Sequence, residues 1–434
     1  MEKNKLNRKF LAALWIFSLT GQIAWVIENM YFNVFIYKMF NADANAISMM
    51  VAASAVSATI TTVIIGALSD KIGKRKIFIC GGYILWGITI LSFALIRKDV
   101  LQVIFPAAST AAVGITLVII MDCVMTFFGS SANDACFNAW LTDLTDNTNR
   151  GTAEGINSMM PLLAMLAVFG GFMSFDLNKA ESWTVIYLII GIAVFLIGII
   201  GIFLIDESGK KISENKNYFS NIVYGFRPSV IKQNKILYIT LGAFAVFGIS
   251  IQIFMPYLIL YYNVTLKMDN YVIIMAPAIL IGAIFTALYG RLYDKHGFKK
   301  TIIPSIVLLC IGYIMLYIFK STAFVFIGSL LMICGFLSGT AIFGAMIRDY
   351  TPAGKAGMFQ GLRIVGQVLI PGIIGPAVGA YVLRNAETII NDDGTTSFVP
   401  NANIYMAALA VAVMLFIVLF IQFAVMRKEV KKHE

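Results

Sequence analysis

Long apolar runs alternate with short polar intervals along almost the whole chain. Most runs reach about 20 residues, the length a helix needs to cross a hydrocarbon core. Twelve such runs predict helices over 10–37, 47–68, 77–96, 114–141, 156–175 and 183–205, then 236–262, 271–289, 301–319, 323–347, 361–383 and 404–425. Residues 100–128 are apolar for longer than one span needs. A second crossing there would reverse the side of everything downstream, so 100–113 reads as an outer segment broken near Pro106 and leading into helix 4. The basic start from Lys3 to Lys9 followed by an apolar run superficially resembles a signal peptide, but the run is too long and eleven more follow, so it reads as an uncleaved first helix.

Composition agrees with this pattern. Hydrophobic residues make up 59% of the 434 residues and charged ones only 13%. A soluble domain carries about a quarter of its residues as Asp, Glu, Lys and Arg. Most of this chain must therefore face lipid, and the fold class is an all-α membrane protein of twelve transmembrane helices. The net charge of +10 is an orientation signal. With both termini cytoplasmic, 26 of the 33 Lys and Arg fall on the inside, leaving Lys38, Arg97, Lys98, Lys179, Lys267, Lys320 and Arg384 outside. The partner implied is the bilayer of the plasma or inner membrane, not nucleic acid. The five cysteines, in apolar runs and without CxxC spacing, read as small core residues, with neither a disulfide frame nor a metal site.

An internal repeat divides the chain. Gly66, Asp70 and Gly73 recur as Gly290, Asp294 and Gly297 at a constant offset of 224, with basic residues following in both copies, Arg75 among them in the first. Asp143, Thr145, Gly151 and Gly155 likewise match Asp349, Thr351, Gly357 and Gly361 at an offset of 206. Two halves of six helices in the same orientation indicate parallel repeats of the kind found in rocking transporters. The domains predicted are 1–205, a loop 206–235, and 236–434.

The motif Gly-x-x-x-Asp-x-x-Gly-basic-basic, repeated between helices 2 and 3 and between helices 8 and 9, resembles the signature loop of the major facilitator superfamily. The second copy carries Phe298 where a basic residue is usual. The resemblance covers the whole chain and implies two six-helix bundles working by alternating access. It also implies that Asp70 and Arg75, with Asp143, Arg150, Asp349 and the repeated glycines, belong to the cytoplasmic gate. Read physically, Gly66 would let two helices approach closely, Asp70 would accept hydrogen bonds from a helix N-terminus, and Gly73 would permit the tight turn. Gly21, Gln22, Trp25 and Glu28 in helix 1, with Gly361, Arg363, Pro371 and Pro376 in helix 11, resemble a narrower branch, the glycoside-pentoside-hexuronide:cation symporters and sucrose-type carriers. That resemblance implies a sugar or glycoside moved with H⁺ or Na⁺. Melibiose-type sodium carriers place acids inside helix 2, and 47–68 has none, so the coupling ion expected is H⁺.

Ionisable groups inside spans cost several kcal/mol and usually mark pathways or relays. Those present are Glu28, Asp122 and Asp134, with Arg363 in helix 11. Glu28 is the first choice for the coupling carboxyl, ahead of a purely structural role. Asp134 reads equally as a coupling or substrate group and as a structural ion pair. Asp122, placed nearer the outer interface, reads as a solvated acid. Amides able to bind a hydroxylated substrate share these helices: Gln22, Asn29, Asn33, Asn133, Asn138, Asn157, Gln252 and Gln367. Trp25 shares a helical face with Glu28 and could stack on a sugar ring, although a packing role suits it equally. Gln360, Arg363 and Gln367 share one face of helix 11.

A membrane enzyme is the first rival. His296 and His433 are the only histidines and lie outside the spans, no H-E-x-x-H occurs, and Gly73-Lys74 lacks the P-loop pattern. No cofactor is implied. The serious alternative is a proton-antiporting exporter of drugs or metabolites, with the many phenylalanines lining an apolar cavity. The chain is expected to act as a monomer on a small-molecule substrate. Outside, residues 388–399 read as a small hairpin around Asp393-Gly394.

Overall fold

The computed structural model describes residues 6–145, 149–207, 224–268, 270–352, 361–391 and 394–433, without the side chains of 150–152, 154, 224 and 429–433. Twelve of its helices are long and apolar enough to cross a membrane. Helices 1 to 6 are Arg8–Phe40, Ala44–Ile72, Arg75–Phe93, Thr110–Asp143, Gly155–Phe172 and Ala180–Leu204. Helices 7 to 12 are Lys235–Thr265, Val272–His296, Phe298–Ile318, Thr322–Tyr350, Gly361–Leu383 and Asn403–Lys428. Each falls on one of the predicted runs. The 100–128 stretch crosses once: a short helix Lys98–Ile104 ends before Pro106, and Ser109 caps the start of helix 4 by accepting from the backbone N–H of Ala112.

The helices run past their apolar cores into polar sequence, because backbone hydrogen bonding does not depend on side-chain hydropathy. Helix 2 continues to Ile72 and helix 8 to His296, so Gly66, Asp70, Gly290 and Asp294 lie on helices and not in turns. The turns themselves rest on Gly73 and Gly297, whose φ values of 72° and 73° lie in the left-handed region that favours glycine.

The chain divides into two compact units, Met1–Tyr218 and Phe219–Glu434. Each contains six spanning helices. Within the first unit, helices 3 and 6 approach at backbone distance: a Cβ on Gly87 would lie 2.4 Å from the Phe195 nitrogen, and one on Gly198 2.7 Å from the Ile84 nitrogen. Within the second, the comparable approach is between helices 9 and 10, where a Cβ on Gly312 would meet the Met332 nitrogen at 2.5 Å and one on Gly335 the Leu309 nitrogen at 2.5 Å. Helix 3 also closes on helix 4, the pair equivalent to helices 9 and 10, where a Cβ on Gly82 would lie 2.6 Å from that of Ala132.

Four spans are interrupted by π-helical turns: Ile27–Tyr31 in helix 1, Ser130–Phe137 in helix 4, Tyr261–Thr265 in helix 7 and Val365–Leu369 in helix 11. Such turns widen the helix locally and recur at functional sites. Outside the spans, strand β1 (Thr388–Ile390) pairs antiparallel with β2 (Thr396–Phe398), and Gly394 turns the chain at φ 76°. This is the predicted hairpin, with Asp393 outside the described residues. Most of the predicted loop 206–235 is also outside them, as is Gln360.

Candidate functional site

Glu28 sits in the π turn of helix 1 and is 6% exposed. Its Oε1 accepts from Ser54 Oγ of helix 2 at 2.6 Å and from Thr126 Oγ1 of helix 4 at 2.9 Å, and those two hydroxyls are 2.9 Å apart. Its Oε2 has no hydrogen-bond partner among the described residues. Three helices thus converge on one oxygen of a buried carboxyl and leave the other buried without a partner among the described residues. Ser57, one turn along helix 2, donates to the Cys123 carbonyl at 2.9 Å and ties helix 2 to helix 4 at the same level.

The structure corrects the reading of Asp122. It is 2% exposed rather than solvated, its Oδ1 lacks a partner, and it lies within electrostatic reach of Glu28. Parity places a residue along the membrane normal; whether it faces water depends on what packs around it. Ser54 and Thr126 were missed because hydroxyls are common in membrane helices. The four-residue step from Asp122 to Thr126, one helical face, was the available signal.

The other polar candidates of the first unit have partners of their own. Asp134 lies in the π turn of helix 4, half-buried, accepting from Ser130 Oγ at 2.9 Å and within electrostatic reach of Glu28. Asn133 is buried and donates to the Tyr83 hydroxyl at 3.3 Å, which in turn donates to the Phe17 carbonyl at 2.8 Å. A Cβ on Gly21 would fall 1.8 Å from the Asn133 amide nitrogen, so glycine at 21 makes room for that amide. Trp25 is half-buried, its ring 5.0 Å from Trp86. Asn29 is exposed, with its side chain returning to the Trp25 carbonyl at 2.8 Å, and Gln22 is half-buried. Asn157 accepts from Ser18 at 2.6 Å, joining helices 1 and 5.

In the second unit, Arg363 Nε donates to Gln367 Oε1 at 3.1 Å, both side chains half-buried on helix 11 at its π turn. Gln252 packs where helix 7 meets helix 11, its Cβ 2.4 Å from where a Cβ on Gly375 would lie. Among the described residues, no group of three or more His, Cys, Asp or Glu is placed to hold a metal.

The signature motif of the first unit forms a closed network at the starts of helix 3. Arg75 is 5% exposed; its Nε donates to Asp143 at 3.2 Å, its Nη1 to Ser69 Oγ at 2.6 Å and its Nη2 to Asp70. The Arg75 backbone N–H donates to Glu207 Oε2 at 3.2 Å. Beside it, the Asp206 carbonyl accepts from Trp140 Nε1 at 2.8 Å and its carboxylate meets Lys9 at 2.5 Å. Two expectations change. Asp70 accepts from the Arg75 guanidinium, and Glu207 accepts from the backbone N–H of Arg75 at the start of helix 3. Gly66 makes only ordinary contact, a Cβ there lying 4.0 Å from that of Ala135, so it does not mediate close approach. The Arg150 side chain is outside the described residues.

The second copy is built differently. Tyr293, the counterpart of Ser69, donates to Asp349 at 2.6 Å. Lys299, the counterpart of Arg75, is exposed with its ammonium 5.8 Å from the Phe423 ring. Asp294 lies exposed on helix 8, a Cβ on Gly290 would meet nothing within 4 Å, and Phe298 is buried.

Twelve helices able to span a membrane, six in each unit, with buried acids in the first, define a multi-pass membrane protein. A family model described as Major Facilitator Superfamily matches residues 13–376 and again 274–434, and the chain belongs to that family. Among solved structures, it is similar to a mutant of the nucleoside transporter NupG, 14% identical over 96% of this chain and 100% of that one, with TM-score 0.71. It is also similar to a D-xylose-proton symporter, 15% identical over 93% of this chain and 97% of that one, TM-score 0.70. A bacterial homolog of the human lysosomal transporter Spinster is 15% identical over 98% and 99%, TM-score 0.69. At these identities the likeness carries the fold. No curated protein sequence matches the chain.

Proposed function

We propose that the chain is a proton-coupled symporter of a sugar or glycoside in the plasma membrane, working by alternating access, with Glu28 as the coupling carboxyl. The observation that carries this reading is Glu28 itself: a buried acid held on one oxygen by Ser54 and Thr126, with no partner for the other and no ion pair to Lys or Arg among the described residues. Such a group is costly as a bare anion and gains by taking a proton. Helix 1 and its neighbours carry groups a polyol could use, with half-buried Trp25 as aromatic surface and Gln22, Asn29 and Asn133 as amides. The likeness to a D-xylose-proton symporter and to a nucleoside transporter, whose substrate also carries a sugar, supports the same substrate class. In the second unit Arg363, Gln367 and Gln252 are the polar groups assigned to substrate.

The test is uptake of labelled mono- and disaccharides, with D-xylose and a nucleoside included, into proteoliposomes under an imposed pH gradient. Accumulation that collapses with the gradient, and Glu28→Gln protein that exchanges without accumulating, is the expected result. Undiminished accumulation by Glu28→Gln removes Glu28 from coupling. Failure of every sugar together with gradient-driven efflux of lipophilic cations replaces the symporter with the exporter.

A further inference from the structure

Asp122 is the buried acid for which the proposed transport cycle has no use. It stands one helical turn before Thr126, the hydroxyl that holds Glu28, and so presents to the same face of helix 4. Glu28 Oε2 and Asp122 Oδ1 are both enclosed, at 6% and 2% residue exposure, and neither has a hydrogen-bond partner among the described residues. Among the described residues, every charged or titratable group with a stated interaction with the two is acidic or neutral. Asp134 of helix 4 faces Glu28, the unpartnered hydroxyl of Tyr187 in helix 6 faces Asp122, and Cys123 faces both. Two carboxylates in such a place cannot both stay ionised without a counter-charge, and a proton on one oxygen turns an acceptor with nothing to accept into a donor.

We propose that Glu28 and Asp122 act as one protonation unit, a carboxyl pair that holds a single exchangeable proton in the loaded state. Glu28 carries its unpartnered oxygen in the π turn, and Asp122 is the second carboxyl that keeps the proton resident until the site is rehydrated. The proton leaves to water and the pair passes from one negative charge to two. This rests on Glu28 as the coupling carboxyl. It adds that coupling is a property of two helices and not of one residue.

Interacting carboxyls release protons in two separated steps, the second raised by the charge left by the first, whereas a carboxyl beside a neutral partner lacks that repulsion and titrates below the upper step. The measurement is infrared difference titration of the protonated-carboxyl band on the full chain in liposomes, in choline chloride and without any solute. Wild type is expected to show two steps from the pair, separated by more than about one pH unit. Asp122→Asn and Glu28→Gln each lose one step, and in both the survivor lies below the upper wild-type position, because its neighbour no longer carries charge; Asp122→Glu keeps both steps. Should Asp122→Asn fail to fold, Glu28→Gln and Asp122→Glu carry the comparison. A surviving step that stays at the upper wild-type position in either variant shows independent acids and overturns the pair. Loss of both wild-type steps when Na⁺ replaces choline shows a cation site and overturns it equally. Because no solute is present, a failed sugar uptake and a failed pair are separate results.

Discussion

Arg75→Lys keeps the charge at the start of helix 3 and removes its shape. The guanidinium addresses three acceptors on two other segments: Asp143 at 3.2 Å, Ser69 at 2.6 Å and Asp70. An ammonium on a flexible stem can hold one of them well. The site is enclosed, with the Arg75 and Asp143 side chains 6% and 3% exposed, so water does not replace what is lost there; Asp70, at 40%, rehydrates. A hydrogen bond to a charged group is worth about 1.5–3 kcal/mol, so with two lost and one partly recovered from water the variant should be destabilised by about 2–4 kcal/mol. The control is Lys299→Ala in the second unit, where an exposed ammonium 5.8 Å from the Phe423 ring is removed. Its cost is expected to stay below about 1 kcal/mol. Equilibrium unfolding in SDS mixed micelles, followed by tryptophan fluorescence, reads both, since Trp140 lies at the site with its indole N–H on Asp206. Arg75→Lys within about 0.5 kcal/mol of wild type, the range of an ordinary surface change, would refute the three-way network. So would equal losses at positions 75 and 299.

Two further outcomes follow from packing and from charge. A Cβ on Gly335 would meet backbone atoms of Leu309 at 2.5 and 2.8 Å, so helices 9 and 10 must separate to admit it; Gly335→Ala should lose about 1–3 kcal/mol in the same unfolding assay. Gly242→Ala, with nothing within 4 Å, should instead gain up to about 1 kcal/mol from helix propensity. In the turn between helices 5 and 6, the backbone N–H of Asn178 and then its side-chain amide hold the Asp176 carboxyl below its usual range, helped by Lys179. A lowered folded value means the contribution is present at neutral pH and is lost as pH falls from about 4 through the folded value. A spin label at Ser174 should therefore gain mobility on acidification in wild type, and Asp176→Asn should abolish that pH dependence.

Burial in lipid is a requirement met residue by residue along the chain, which is why twelve spans and a single crossing through the 100–128 stretch were legible without coordinates. The turn at Gly73 and Gly297 was legible for a similar reason, since a left-handed φ is a local demand on one residue. The sites were legible only as a short list of costly residues. Glu28 stood out because acids are rare in spans, but its partners Ser54 and Thr126 lie 26 and 98 residues away on other helices and are chemically ordinary. Asp122 was misplaced because hydropathy reports depth and not the rotation of a helix about its axis. That rotation depends on which small residues let which helices close: Gly87 and Gly198 close helices 3 and 6 in the first unit, and Gly312 and Gly335 close helices 9 and 10 in the second. Tertiary packing also made the two signature motifs unlike: Arg75 reaches a buried Asp143 in one unit, and Tyr293 takes the place at Asp349 in the other. A repeat in sequence sets the same residues at the same places in the chain; the partners each one finds are decided by three helices packing at once, and no one-dimensional pattern records that.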